Sequence, residues 1–236
     1  MNIRAIEQDI KHNSRAVTVG GQRFVYLNHD EMDTISEELA AKIAEPLKEG
    51  ERFHEIASIG PESQAYAPKL ANDLRELGAL PPTEYESSVN TIVISKSSIY
   101  RGQLNERLST PPKDYMMANV LGVAVVIKNG ETFTRLRQQM NDYTPTFEVA
   151  AFVSTADQYQ EPEYVGLRVD EGTNIILPHQ QNRMGVRLAA LLTSQEGTLQ
   201  ARKKLYSLFR SGMRDTNDRV ERWMNPELNW RLPKQM

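Results

Sequence analysis

The sequence contains no cysteine, and it has no apolar run long enough to form a membrane-spanning helix. Because cysteine is absent, disulfides, thiolate nucleophiles and thiolate metal ligands are excluded. A membrane helix needs about 18 or more consecutive apolar residues, and the opening stretch MNIRAIEQDIKHN also lacks the apolar core of a secretory signal. These absences predict a cytoplasmic protein that makes no contact with a membrane.

Several catalytic patterns are missing as well. The sequence has no GxSxG, Walker, GxGxxG or HExxH motif, so hydrolase, P-loop and zinc-protease functions are without support. The histidines show no metal-ligand spacing and have no neighbouring cluster of ligands; they are His12, His29, His54 and His179. The sequence therefore predicts no metal site of its own.

The composition is that of an ordinary globular protein, but its charge is unevenly divided. Among 236 residues, 39% are hydrophobic and 25% charged, which suits one large domain or a domain with an appendage. Residues 182–236 carry eleven Lys or Arg and five Asp or Glu, a net charge of +6, whereas residues 1–181 carry −9. Four basic residues of this tail have aromatic residues between them and could bind nucleic acid: Arg202, Lys203, Lys204 and Arg210. The helical spacing of Leu205 and Leu208 instead favours packing on the body or on a partner subunit, as in a homodimer.

Apolar runs of strand length alternate with segments of helical period. We predict strands at residues 22–28, 52–60, 89–95, 120–127, 147–154 and 173–178. We predict helices at residues 34–47, 64–77 and 133–140. This alternation is typical of an α/β fold with a mainly parallel sheet flanked by helices. The predicted domains are an α/β domain over residues 1–181 and a basic, helical C-terminal extension over residues 182–236.

Three segments carry a resemblance to a known family. Residues 35–77 combine a helix, a strand that ends in IGPES, and a second helix with Ala67, Leu70 and Leu74 on one face. The strand VLGVAVVI then runs into KNGET, and PEYVG is later followed by IILPH. This order resembles the type I phosphoribosyltransferase family over residues 30–180. The resemblance implies a phosphoribosyltransferase-like fold and a transferase that uses a phosphorylated ribose donor.

By this resemblance, three groups of residues form the site. Phosphate would be bound by Lys128, Asn129, Gly130, Glu131 and Thr132, together with Gly60 and Ser63. A flap that closes over the site would contribute Lys96, Ser98, Tyr100 and Arg101. The base pocket would be bordered by Tyr164, Val165 and His179. The implied partner is a nucleotide or another small phosphorylated ligand, and Mg²⁺ is implied by the resemblance only.

Each of these groups also has an ordinary structural explanation. Asn129 and Gly130 are typical of a turn and a helix cap. Residues 96–119 are polar and lack a clear period, so they could be a solvated loop. Tyr164 and His179 could be half-buried side chains with no ligand.

The sequence departs from the family where ribose and pyrophosphate would bind. Two adjacent acids bind the ribose hydroxyls in such enzymes, and they align with Ala124 and Val125, while the next acid aligns with Lys128. The Arg-Gly-Gly of the pyrophosphate loop is replaced by PES at residues 61–63. The glutamate of this segment puts a negative charge where a cation is needed. Lys128 could instead neutralise a phosphate directly as a point charge.

Two functions of different classes remain open. The leading hypothesis is a divergent phosphoribosyltransferase-like transferase that acts on a nucleotide, nucleobase or phosphorylated sugar through positioning and electrostatic stabilisation. The alternative is a non-catalytic protein that keeps the fold and senses a nucleotide or binds nucleic acid. The missing acids favour the alternative, whereas the retained GET turn and the flap length favour the transferase. A third hypothesis is an enzyme that acts on nucleotides within a nucleic acid.

Overall fold

The computed structural model describes residues 2–12, 16–19, 21–47, 51–82, 91–94, 119–128, 131–140, 144–155, 162–180 and Lys203. The predicted flap residues and, apart from Lys203, the basic extension lie outside these segments. The predicted domain boundary at residue 181 therefore stays a prediction. None of the helices in the described part combines the length and apolarity that crossing a membrane would require.

The secondary structure of the described residues alternates between helices and strands. Its helices are α1 (Ile3–Lys11), α2 (His29–Ala44), α3 (Ala67–Glu76) and α4 (Glu131–Met140). Its strands are β1 (Ala16–Val19), β2 (Gln22–Tyr26), β3 (Glu55–Ile59), β4 (Thr91–Ile94), β5 (Asn119–Ile127), β6 (Thr146–Ser154), β7 (Tyr164–Arg168) and β8 (Asn174–Ile176). Short 3₁₀ helices cover Pro61–Ala65 and Pro178–Gln180.

The chain divides into two units, and the larger one, residues 1–7 and 30–172, contains a five-stranded sheet in the order β4-β3-β5-β6-β7. Every neighbouring pair of strands in this sheet is parallel. The central strand β5 is buried along almost its whole length, as expected for a parallel strand that is covered on both faces. The predicted α/β class with a mainly parallel sheet is confirmed.

Helices cover both faces of this sheet. Ala151 and Phe152 are consecutive in β6, so their side chains point to opposite faces. Ala151 belongs to an apolar cluster with three residues of α4: Phe133, Leu136 and Met140. On the other face, the ring of Phe152 lies 5.8 Å from the ring of Tyr66, which directly precedes α3. The Ser36 hydroxyl of α2 donates to Asp73 of α3 at 2.7 Å, so α2 lies beside α3.

The smaller unit, residues 8–29 and 173–236, contains a three-stranded sheet in the order β1-β2-β8. β1 and β2 are antiparallel, and the turn between them contains Gly21, whose φ of 75° favours glycine. β8 pairs with β2 in parallel orientation. The strands predicted at residues 22–28 and 173–178 therefore pair with each other and do not join the larger sheet.

Several elements differ from the sequence-based prediction. α2 begins at His29, before the predicted start at residue 34, and acidic residues occupy its first turn, where they interact favourably with the helix dipole. α1, β1 and β7 were not predicted. In α1 the fully buried residues are Ile6 and Ile10, which is too short a pattern to indicate a helix. β7 contains Gly166, a residue that weakens the strand signal.

Candidate functional site at the carboxyl edge of the sheet

The strand order places a topological switch point between β3 and β5. From β3 the chain passes to β4 on one side, and it then continues to β5 on the other side of β3. In open parallel sheets, ligands bind outside the carboxyl ends of the strands at such a point. The segments that leave these two strands are the 3₁₀ helix Pro61–Ala65 and the segment that begins with Lys128. Both predicted phosphate-binding loops therefore start at the same edge of the sheet.

The turn after β3 is held by Gly60 and Ser63. Gly60 has φ 84° and ψ 161°, a backbone conformation that residues with a side chain rarely adopt. The Ser63 hydroxyl is buried and donates to the carbonyl of Ile59 at 2.7 Å, and the Ser63 amide donates to the carbonyl of Gly60 at 3.3 Å. The hydroxyl proton of Ser63 is thus used inside the turn. A phosphate contact through Gly60 or Ser63 stays a prediction.

Glu62 brings a negative charge to this turn. Its side chain is exposed, and its Oε2 atom lies 3.3 Å from the position that a Cβ on Gly60 would take. The 3₁₀ helix that carries Glu62 packs against β4 and β5 as well as β3. A carboxylate therefore lies at the carboxyl end of β3, close to Gly60.

The segment after β5 has the opposite electrostatic character. Ser58 lies opposite Val123, and β5 continues four residues beyond that pair whereas β3 continues only one. Lys128 follows directly and is exposed. α4 then begins at Glu131, and the first N–H groups of a helix have no intrahelical acceptor and attract anions. Asn129, Gly130 and the side chains of Glu131 and Thr132 lie outside the described residues.

Thr155, which the sequence analysis did not single out, is bonded to the end of β5. It follows the last residue of β6, it is buried, and its amide donates to the carbonyl of Ile127 at 2.8 Å. Its hydroxyl lies 3.4 Å from the same carbonyl. Thr155 is thus attached to the residue that precedes Lys128. The signal in the sequence was a hydroxyl-bearing pair, Ser154 and Thr155, at the end of an apolar run.

The last part of β5 lacks the donors that ribose and Mg²⁺ would need. Ala124 is 3% exposed and Val125 is 2% exposed, and both lie within the strand. Their side chains have no oxygen atom, and Lys128, at the position of the third acid, would repel a cation. Within the described segments, no group of His, Asp and Glu could hold a metal ion. The described residues at this end of β5 thus offer no ligand for Mg²⁺, and binding of Mg²⁺ by the chain stays a prediction.

Tyr164 lies at the other end of its strand. It is the first residue of β7, whereas the carboxyl end of β7 is Arg168. Its hydroxyl donates to Oε2 of Glu148 at 2.7 Å. Burial, this hydrogen bond and the charges of Glu148 and Glu163 raise the pKa of Tyr164 well above the ordinary value for tyrosine. The structure thus does not bring the Tyr164 hydroxyl together with Lys128, and a role in base binding stays a prediction.

The other predicted site residues are distributed as follows. Val165 is buried in β7 opposite Ala151. His179 belongs to the smaller unit, in the 3₁₀ helix Pro178–Gln180. Lys203 is helical and exposed. The remaining predicted residues lie outside the described segments: Lys96, Ser98, Tyr100, Arg101, Arg202, Lys204 and Arg210.

Comparisons with known proteins give similarities of fold only. No protein-family model matches the chain, and no curated protein matches it. A hypothetical protein from Neisseria gonorrhoeae, solved with bound ppGpp, is 18% identical with a TM-score of 0.49, over 67% of this chain and 89% of that one. A purine phosphoribosyltransferase from Pyrococcus horikoshii is 16% identical with a TM-score of 0.44, over 66% and 93%. HGPRT-ase from Leishmania tarentolae, in complex with GMP, is 11% identical with a TM-score of 0.44, over 66% and 84%.

At such low identity and TM-scores, the comparisons assign no activity to this chain. The strand pairing and the packing of the chain itself establish a parallel α/β sheet with helices on both faces, and the resemblance to phosphoribosyltransferases stays an expectation from the sequence.

Proposed function

We propose that this chain binds a small phosphorylated ligand, a nucleotide or a sugar phosphate, at the switch point, and that it does not transfer a ribosyl group. One observation carries the proposal. β5 passes through the buried apolar pair Ala124 and Val125 and then leads into Lys128 and the amino end of α4. This end of the strand therefore attracts anions, but it has no carboxylates for ribose hydroxyls or a metal.

Two features support phosphate as the recognised group. The ammonium of Lys128 is a compact charge with several donors, and such a group binds phosphate well. The first turn of α4 adds backbone N–H groups and the positive end of the helix dipole. Thr155 lies beside this segment through its bonds to Ile127. Because both donors of Thr155 are used on the Ile127 carbonyl, the charge and the donors for phosphate come from Lys128 and the first turn of α4.

The same edge disfavours transfer chemistry. Ribosyl transfer requires stabilisation of a departing pyrophosphate and of positive charge on the ribose in the transition state. Glu62 lies on the turn where the family places a cation, and the positions of the ribose-binding acids are apolar. Interactions that hold only the bound ligand, and not the transition state, give affinity without catalysis. The proposed function is therefore ligand binding.

Calorimetric titration tests this proposal. Ribose 5-phosphate, AMP and GMP are titrated into the wild-type protein and into Lys128→Gln. We expect measurable binding of at least one of them, weakened about tenfold or more in Lys128→Gln because a charge-assisted contact to phosphate is lost. Arg52→Gln is the matched control, since Arg52 is exposed and precedes the amino end of β3. It removes the same charge and should leave the affinity unchanged.

A second assay separates binding from transfer. The protein is incubated with 5-phosphoribosyl 1-pyrophosphate, Mg²⁺ and each common nucleobase, and released pyrophosphate is measured. We expect no release above the rate without protein. Enzyme-dependent release that Lys128→Gln abolishes would restore the transferase hypothesis. If wild type and Lys128→Gln bind every ligand with equal affinity, Lys128 does not contribute to ligand binding and the proposed site is wrong.

A further inference from the structure

The switch point has two walls of opposite charge. On the β5 side lie Lys128 and the amino end of α4. On the β3 side lies the exposed carboxylate of Glu62, with Oε2 3.3 Å from the site of a Cβ on Gly60. Neighbouring strands are separated by about 4.8 Å, so the segments that carry these two charges leave the sheet side by side.

The turn that carries Glu62 is held in a defined conformation. Gly60 has a φ of 84°, a backbone conformation that residues with a side chain rarely adopt. The Ser63 side chain is fully buried and bonded to Ile59, and the Tyr66 amide donates to the Ser63 carbonyl at 3.1 Å. The 3₁₀ helix also packs on three strands. The backbone of Glu62 is therefore held at the carboxyl end of β3, and its carboxylate can move only by rotation of the side chain.

We infer that Glu62 makes this site selective for a ligand with a single phosphate group, and that it excludes ligands with a pyrophosphate at the opposite end. The inference rests on the proposed function. A phosphate is attracted by the β5 wall, whereas a second phosphate group directed towards β3 meets a like charge. A hydroxyl or amino group directed towards β3 can instead donate a hydrogen bond to the Glu62 carboxylate. The ligand class is therefore a phosphomonoester with a donor group at its other end, such as a sugar phosphate or a nucleoside monophosphate.

Two ligands that differ only in the pyrophosphate test this inference. Ribose 5-phosphate and 5-phosphoribosyl 1-pyrophosphate are titrated calorimetrically, with a chelator present so that no divalent cation screens the pyrophosphate. The wild-type protein should prefer ribose 5-phosphate by about tenfold or more. In Glu62→Gln, which keeps the size and removes the charge, the affinity for the pyrophosphate ligand should rise about tenfold. The affinity of Glu62→Gln for ribose 5-phosphate should equal that of the wild type or be slightly lower.

Glu76→Gln is the matched control, because Glu76 is an exposed acid at the end of α3 and its loss changes the net charge by the same amount. It should leave the preference unchanged. The inference is overturned, while the proposed function stands, in either of two cases. In the first, Glu62→Gln prefers ribose 5-phosphate over the pyrophosphate ligand as strongly as the wild type does. In the second, Glu76→Gln weakens this preference as much as Glu62→Gln does. If the wild type binds none of ribose 5-phosphate, AMP and GMP more tightly than Lys128→Gln does, the proposed function fails first and the inference fails with it.

Discussion

The hydroxyl of Ser63 donates a hydrogen bond of 2.7 Å to the carbonyl of Ile59, which ties the turn after β3 to the last residue of that strand. Ser63 and Ile59 are both buried, so water cannot replace this bond. Ser58, on the same strand, is equally buried, but within the described residues its hydroxyl has no hydrogen-bond partner. The two serines therefore offer a direct comparison of a bonded and an unbonded buried hydroxyl.

Replacing each serine by alanine should have different effects on the free energy of unfolding. Ser63→Ala should lower the free energy of unfolding by about 1–3 kcal/mol, because the Ile59 carbonyl loses a buried donor. Ser58→Ala should leave it unchanged or raise it by about 1 kcal/mol, because an unsatisfied hydroxyl is removed. Urea unfolding with an unchanged slope measures both differences. Equal destabilisation by the two substitutions would show that the Ser63 bond does not hold the turn.

The packing of β7 against α2 gives a second prediction. A Cβ on Gly166 would lie 2.6 Å from Cγ2 of Ile35 and 2.8 Å from the carbonyl oxygen of Phe152. The carbonyl belongs to the neighbouring strand and cannot move without breaking the sheet, so Gly166→Ala should cost about 3 kcal/mol of stability. Thermal unfolding of the purified variant measures this loss.

Gly122 provides the control for this prediction. A Cβ there would lie 2.7 Å from Cζ of Phe147 and 3.0 Å from Cδ1 of Ile59, which are both ends of side chains. These ends can shift by rotation, so Gly122→Ala should cost less than Gly166→Ala. A larger loss for Gly122→Ala would mean that the sheet adapts more easily than the side chains do.

The parts of the fold that the sequence predicted are those with a local signal. β5 is an uninterrupted apolar run, and α3 shows its apolar residues at helical spacing, so each was recognised without knowledge of its neighbours. Strand pairing is not local. The segments that form β2 and β8 read as strands, but only the structure shows that they pair with each other in a separate sheet. β7 was missed because its close contact with Ile35 requires Gly166, and glycine weakens a strand pattern.

The candidate site was predictable in the same limited sense. The positions of Gly60 and Lys128 at strand ends, and the loss of the acids at Ala124 and Val125, could be read from the sequence. The direction of the Ser63 hydroxyl and the approach of the Glu62 carboxylate to Gly60 could not, because they depend on a 3₁₀ helix that has no clear sequence period. Thr155 became visible only through its bonds to Ile127.

Tyr164 leads to a prediction about alkaline pH. Its burial and its hydrogen bond to Glu148 raise the pKa of the phenol above the unfolded value of about 10. The folded state thus holds the proton more tightly, and the resulting stability is complete below pH 10 and is lost as the pH rises above that value. The loss is at most about 1.4 kcal/mol per pH unit, and it is smaller here because solvent reaches the half-buried ring.

Tyr164→Phe removes this titration. The free energy of unfolding of this variant should therefore fall less than that of the wild type between pH 9 and pH 11 (about one unit either side of the unfolded pKa). In Glu148→Gln the phenol remains but loses its charged partner. The fall in the free energy of unfolding of this variant should therefore lie between those of the wild type and Tyr164→Phe. Urea unfolding at the two pH values measures the differences, and absorbance of the tyrosinate follows the phenol itself. An equal loss in wild type and Tyr164→Phe would rule out a contribution from this group.

The strongest test of the non-catalytic proposal is to put an acid back into β5. Ala124 is 3% exposed, so Ala124→Asp should place a carboxylate in an apolar strand and lower stability at pH 7 by about 3 kcal/mol or more. Burial would raise the pKa of the new carboxyl above its unfolded value of about 3.9. The penalty for its charge is then absent at pH 4 and grows as the pH rises.

Ala124→Asn is the matched control, because it has nearly the same size and no charge. The two variants should unfold at the same urea concentration at pH 4. At pH 7 the Asp variant should unfold at a lower urea concentration than the Asn variant. This result would mean that the end of β5 is part of the core and cannot serve as a ribose site. If the Asp variant is as stable as the Asn variant at pH 7 and gains affinity for Mg²⁺, the position faces the ligand. The end of β5 would then keep the geometry of a ribose and metal site without its acids, and its burial would no longer argue against that site.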